Sequence, residues 1–204
     1  MTGASDLLPA WACRVGVFGG TFDPVHTGHL ILAERALDTL GLDAVLFIPA
    51  RVPPHKRDGR TISSGADRAA MLAAAIDDNP RFLLTTIELE RDAVSFTHDT
   101  VVALRERNAK ARFTLLIGAD NLEQFATWHR AEALARMTPL AVWARPGAVL
   151  PAEALPGIGY TRIDAPLLEL SGTEIRADVA SGRSVRYRVP EPVRKYINDH
   201  GLYR

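Results

Sequence analysis

Cysteine is nearly absent: Cys13 is the only one in 204 residues, which excludes an intrachain disulfide. It sits in the apolar run "ACRVGVFG", so a buried, inert thiol is expected, in keeping with a reducing cytoplasm. An excess of either charge is missing too. Lys and Arg number 24, as do Asp and Glu, so no net field gathers nucleic acid or an anionic membrane, and any anionic ligand has to be held by local groups. No uninterrupted run of about 18 apolar residues offers a membrane span. The leader "MTGASDLLPAWA" has neither the basic start nor the apolar core of a secretion signal. These absences predict a cytoplasmic protein with a short, loosely held extension at residues 1–12. Internal repeats and low-complexity tracts are also missing.

What is present is enough apolar material, 47% of residues, to bury one core. One domain is expected over residues 13–204. Short β-rich runs, "RVGVFG", "AVLFIPA", "RFLLTTIEL", "RFTLLIG", "PLAVWAR" and a weaker "GYTRID", alternate with helical stretches near 26–40, 67–78, 97–108, 173–180 and 191–200. That alternation predicts an α/β fold: a single Rossmann-like, doubly wound parallel sheet with helices on both faces and a helical C-terminal end. Leu30, Leu37 and Leu40, filled in by Ala33 and Ala36, mark the sheet-facing side of the first helix, which Gly41 stops. The Pro/Gly-rich "ARVPPHKRDG" and "RPGAVLPAEALPGIG" read as loops.

The stretch "GVFGGTFDPVHTGHL" leaves the first strand where such sheets bind ligands, beyond the carboxyl ends of the strands. Gly19 and Gly20 there permit positive φ and close backbone approach. The helix that follows offers unsatisfied N–H groups and a positive dipole end, a phosphate-binding arrangement. His26 and His29, three apart in its first turn, share a face, and Gly28 between them leaves room for a ligand. Neither the dinucleotide fingerprint GxGxxG nor a Walker A loop is present, and no third ligand at motif spacing turns the histidine pair into a metal site.

"GGTFDPVHTGH" resembles the signature of the HxGH nucleotidyltransferases. With "VPPHK", "SFTHDT", "GADNLEQFATWH", "ARPG", "LSGTEIR" and the ending "VPEPVRKYINDHGLY", the ordered set resembles the bacterial nicotinate-nucleotide adenylyltransferases from Val15 to Tyr203. The resemblance implies transfer of AMP from ATP to nicotinate mononucleotide, with Mg²⁺ delivered on the ATP phosphates. It implies His26, His29, Lys56 and Arg176 as the catalytic set. Gly19, Gly20, Thr21, Phe22, Gly28, Gly118, Asp120, Arg145, Ser171 and Thr173 are then the ATP-side residues.

For the acceptor substrate the resemblance implies His55 on a loop stiffened by Pro53 and Pro54, backbone N–H groups around Thr97 and at His129 facing the pyridine carboxylate, and Trp128 stacked on the ring. His98 falls at a variable position and is assigned nothing. The residues themselves leave blander readings open. Thr97 or Asp99 could simply cap a helix, Asp120 another, and Trp128 could be core. In "LSGTEIR" a helix starting at Ser171 would bring hydroxyls, free N–H groups and the Arg176 guanidinium together on phosphate oxygens. Gly172 stands where the family usually has Ser or Ala and should loosen that turn.

Alternatives remain: another HxGH transferase, acting on phosphopantetheine or nicotinamide mononucleotide, or an inactive nucleotide-binding regulator. No nucleic-acid or membrane partner is expected, and self-association is left open.

Overall fold

The computed structural model describes residues 8–51, 62–91, 94–144, 147–164, 166 and 168–204. Strand β1 (Arg14–Gly20) leads through helix α1 (Thr27–Leu40) to β2 (Ala44–Pro49), then α2 (Gly65–Ile76) and β3 (Phe82–Leu84). Helix α3 (Thr97–Arg107) returns the chain to β4 (Arg112–Gly118) on the other side of β1. The short α4 (Ala119–Glu123), a 3-10 turn at Phe125–Thr127 and α5 (Ala131–Met137) precede β5 (Leu140–Ala144). Strand β6 (Thr161–Asp164), α6 (Gly172–Ala180) and α7 (Glu191–Asp199) follow.

All pairings are parallel and the order is β3-β2-β1-β4-β5-β6, as the α/β alternation predicts. Consecutive strands step outward from β1 and then resume beside it at β4. This makes the β1/β4 boundary the topological switch point, where a crevice opens beyond the strand ends.

Strand alternation sorts the core into two layers. Phe18, Val45, Phe47 and Trp143 face one side, with Ala33, Ala36 and Leu37 of α1, Met71 and Leu72 of α2, Ile175 of α6 and Val193 and Ile197 of α7. Val15, Val17, Leu46, Ile48 and Leu115 face the other, with Val101 and Leu104 of α3 and Leu134 of α5. Helix α1 ends as expected: Gly41 is left-handed at φ 58°, and its N–H and that of Leu42 both return to the Leu37 carbonyl.

Several local expectations are corrected. Strand β3 stops at Leu84 instead of running through "TTIEL", because the Leu89 and Glu90 N–H groups turn back to the Thr86 carbonyl. Helix α5 has no counterpart in the sequence reading. Cys13 is exposed, lying just before β1 rather than in it, with its N–H on the Asp43 carboxylate. The packed body begins before Cys13: Leu8 and Ala12 are core residues, and the Leu8 N–H donates to Asn108 Oδ1.

Candidate active site

The loop between β1 and α1 is built around aromatic packing. Phe22 is buried and left-handed at φ 49°, a conformation that costs a non-glycine residue about 1–3 kcal/mol and clusters at functional sites. Its ring folds back over Gly20, where an added Cβ would lie 2.9 Å from the Phe22 ring. Gly20 is therefore required by close approach, and neither it nor Gly19 has the positive φ expected from sequence. A Cβ on Gly19 would meet nothing within 4 Å, so its surface stays open to a ligand. Phe22 packs edge-on to Phe18 and His29, with ring centroids 5.4 and 5.0 Å away.

His26 occupies the N-cap of α1 and His29 the third helical position. The rings stack with centroids 3.7 Å apart, and the His26 N–H donates to His29 Nδ1 at 3.1 Å. Burial pushes the His26 imidazole down to about 4, and the Arg188 charge adds to the fall. His29 is held well below its usual value by burial first and by His26 second. Both rings are thus neutral near pH 7. With Nδ1 of His29 accepting, its proton resides on Nε2, leaving that nitrogen a donor. His26 Nδ1 is buried without a partner, a demand that a ligand or water can meet.

Gly28 also serves the pair, since a Cβ there would sit 3.1 Å from His26 Nδ1. The first turn of α1 is also less open than its sequence suggests. The Thr27 N–H is taken by the Arg188 carbonyl and that of His29 by the His26 carbonyl.

Beside the histidines, α6 begins at the expected place, with Ser171 Oγ accepting the Glu174 N–H. Arg176 reaches across to the β1–α1 loop, donating to the Asp23 carbonyl at 2.6 Å and to Thr173 Oγ1 at 3.3 Å. Gly172 has a packing role at this turn. A Cβ on it would come 3.0 Å from the same Asp23 carbonyl, so its absence lets α6 dock. The Asp23 carboxylate is buried and accepts the Tyr203 hydroxyl at 2.7 Å, drawing the C-terminal end onto the loop. Burial pushes the Tyr203 phenol far up, and the Asp23 bond adds to the rise.

At the switch point lies a cavity of about 430 Å³. The end of β1 contributes Gly19 and Gly20, the loop after it Thr21, the end of β4 Gly118, and the opposite wall carries Thr97, Trp128 and His129. Seven residues singled out in the sequence therefore share one chamber. Thr97 lies at the first turn of α3, whose N-cap is Phe96, so neither Thr97 nor Asp99 caps that helix. Asp99 instead meets Nδ1 of the buried His98 at 2.8 Å. Trp128 is partly buried against Phe125, and the exposed His129 stacks its ring on Phe96. The backbone N–H of His129 makes no hydrogen bond among the described residues.

Asp120 is exposed inside α4 and caps nothing. Its neighbours Asn121 and Gln124 line the chamber instead, a detail that side-chain type alone did not signal. Glu88 was also missed. It is a buried chamber wall residue that accepts from Thr100 Oγ1 at 2.8 Å, and burial pushes its carboxyl up. His26, His29, Ser171, Thr173 and Arg176 form the adjoining cluster, joined to the chamber through Phe18, whose ring lies 5.9 Å from that of His29. His55, Lys56 and Arg145 lie outside the described residues.

Comparison with known proteins agrees with this geometry. The model of the cytidylyltransferase-like family matches residues 17–178. A protein of Exiguobacterium sibiricum, named "Probable nicotinate-nucleotide adenylyltransferase", is 47% identical over 93% of this chain and 98% of its own. One of the same name from Salinibacter ruber is 42% identical over 93% and 97%. The fold matches that of Plasmodium falciparum nicotinic acid mononucleotide adenylyltransferase complexed with NaAD, with a TM-score of 0.78 at 17% identity, covering 94% of this chain and 97% of that one. The chain belongs to the cytidylyltransferase-like family and, within it, to the nicotinate-nucleotide adenylyltransferases.

Proposed function

We propose that the chain transfers the AMP moiety of ATP to the phosphate of nicotinate mononucleotide, giving nicotinate adenine dinucleotide and pyrophosphate. The observation that carries this reading is the chamber lined by Thr97, Trp128 and His129, which adjoins the His26/His29 cluster through Phe18. The attacking phosphate is largely dianionic near pH 7, its second pKa being about 6, so no general base is needed. The task is to align two anions and absorb transition-state charge, which calls for fixed donors rather than proton transfer.

His29 Nε2–H supplies such a donor, held in place by the His26 N–H on its other nitrogen. Arg176 and the start of α6 supply more, with the Arg176 guanidinium oriented by the Asp23 carbonyl. Lys56 and His55 complete the set on sequence grounds. Among the described residues no cluster of three or more His, Cys, Asp or Glu side chains could hold a metal ion. Mg²⁺ would arrive as part of the nucleotide substrate, where it would neutralise phosphate charge.

Thr97 at the start of α3 and His129 line the chamber, and backbone N–H groups offered there are donors only, which favours a carboxylate on the pyridine ring. Among the described residues no helix is long and apolar enough to cross a membrane, and we place the activity in the cytoplasm. The test is product analysis: ATP and nicotinate mononucleotide should yield equal amounts of pyrophosphate and dinucleotide. Absence of both from a folded, Mg²⁺-supplemented sample would refute the reading.

A further inference from the structure

Arg68, in the first turn and a half of α2, is 1% exposed, yet no carboxylate accepts from it among the described residues. Its partners are backbone carbonyls. Nε donates to Ser63 at 3.1 Å, one terminal nitrogen donates to Thr21 at 2.8 Å and Ala50 at 2.7 Å, and the other donates to Arg51 at 3.3 Å. Thr21 belongs to the loop after β1, and Ala50 and Arg51 to the chain leaving β2. Burying a charge is costly, and a planar fork with five donors is the side chain that can satisfy several carbonyls at fixed angles. Thr21 and Ala50 both line the chamber, and the Ala50 N–H also donates to the Gly20 carbonyl at 2.8 Å. Burial pulls the Arg68 ionisation down, and the Asp23 charge counteracts the fall.

We propose that Arg68 is a positioning residue for the reaction: from behind the chamber, its guanidinium sets the Thr21 and Ala50 backbones relative to each other, and with them the wall against which the mononucleotide is held. This assignment rests on the function proposed above. Arg68 does not touch substrate. Its effect is carried through the two loops, so its loss should appear in substrate handling as well as in stability.

The test compares Arg68→Lys, which keeps the charge but cannot fork, and Arg68→Met, which removes it, with Ile76→Ala, a core truncation at the far end of α2. Circular dichroism and thermal melts establish folding, and kinetics are run well below each Tm. Arg68→Lys should raise KM for nicotinate mononucleotide at least tenfold and lower kcat. Arg68→Met should do more, while Ile76→Ala lowers Tm with both constants within twofold of wild type. Amide exchange at Ala50 and through Gly19 to Asp23 should quicken in folded Arg68→Lys and stay unchanged in Ile76→Ala. Exchange is read without substrate, so it decides the positioning role even if the wild-type chain makes no dinucleotide and the functional reading fails. Wild-type constants and exchange in folded Arg68→Lys would overturn the proposal. So would complete unfolding of Arg68→Lys, since the role claimed exists only within a folded chain.

Discussion

His29 Nδ1 accepts the backbone N–H of His26 at 3.1 Å while the two imidazoles stack 3.7 Å apart, so the cap of α1 fixes which His29 nitrogen carries the proton. A donor so fixed costs little to reorganise as charge develops. His29→Ala should therefore lower kcat by about a hundredfold or more while changing KM for ATP far less. Steady-state kinetics on the folded variant decide this, and a kcat within a few-fold of wild type would remove His29 from the catalytic set.

The same pair links stability to pH. His26 titrates at about 4 in the fold against an ordinary 6.5, and His29 is lowered as well. The unfolded chain thus takes up protons first on acidification. The contribution of the neutral rings is complete above pH 6.5, falls as pH drops towards 4, and for His26 amounts to about 3 kcal/mol. Glu88, pushed up, works in the opposite direction. The lowered Asp43, Asp67 and Asp178 carboxyls act only below about pH 4. Denaturant midpoints from pH 7.5 to 4.5 should decline in wild type and decline less in His26→Asn. Parallel curves would contradict the assignment.

Gly19 and Gly20 should separate cleanly. Gly20→Ala drives a Cβ to 2.9 Å from the buried Phe22 ring and should cost about 1–3 kcal/mol of stability. Gly19→Ala meets no atom within 4 Å. It should leave Tm nearly unchanged while weakening substrate binding, because the methyl projects into ligand space. Melting curves and KM values for the two variants check the contrast.

Metal should be required but not resident. EDTA should abolish turnover and added Mg²⁺ restore it, while the dialysed protein retains no stoichiometric metal by elemental analysis. A bound metal surviving dialysis would point instead to a protein-held site.

The sheet and the histidine loop were legible because they depend on local pattern: β-rich runs alternating with helical spacing, and glycines and histidines clustered behind one strand. What escaped depended on distant partners. Arg68 reads as an ordinary polar position of α2, and nothing in "GADRAAM" tells that Thr21, Ala50, Arg51 and Ser63 converge on it. Glu88 sits in "TTIEL", whose β-branched residues suggest strand, whereas the Thr86 carbonyl closes a turn. Helix α5 starts from a left-handed Arg130 without a side-chain cap, so its boundary carries no sequence signal. At Gly28 and Gly172 the neighbours that an added Cβ would meet, the His26 ring and the Asp23 carbonyl, are visible only in three dimensions.

The chamber should favour the acid form of the pyridine nucleotide. On the proposed reading a carboxylate would accept from both the α3 N-terminus and the His129 N–H. An amide must turn its NH₂ towards a donor, at a cost of about 1–3 kcal/mol for the polar group left unpaired. The decisive measurement is kcat/KM for nicotinate mononucleotide and nicotinamide mononucleotide at saturating ATP and Mg²⁺. The acid should be favoured by about tenfold or more; equal values or a preference for the amide would contradict the claim.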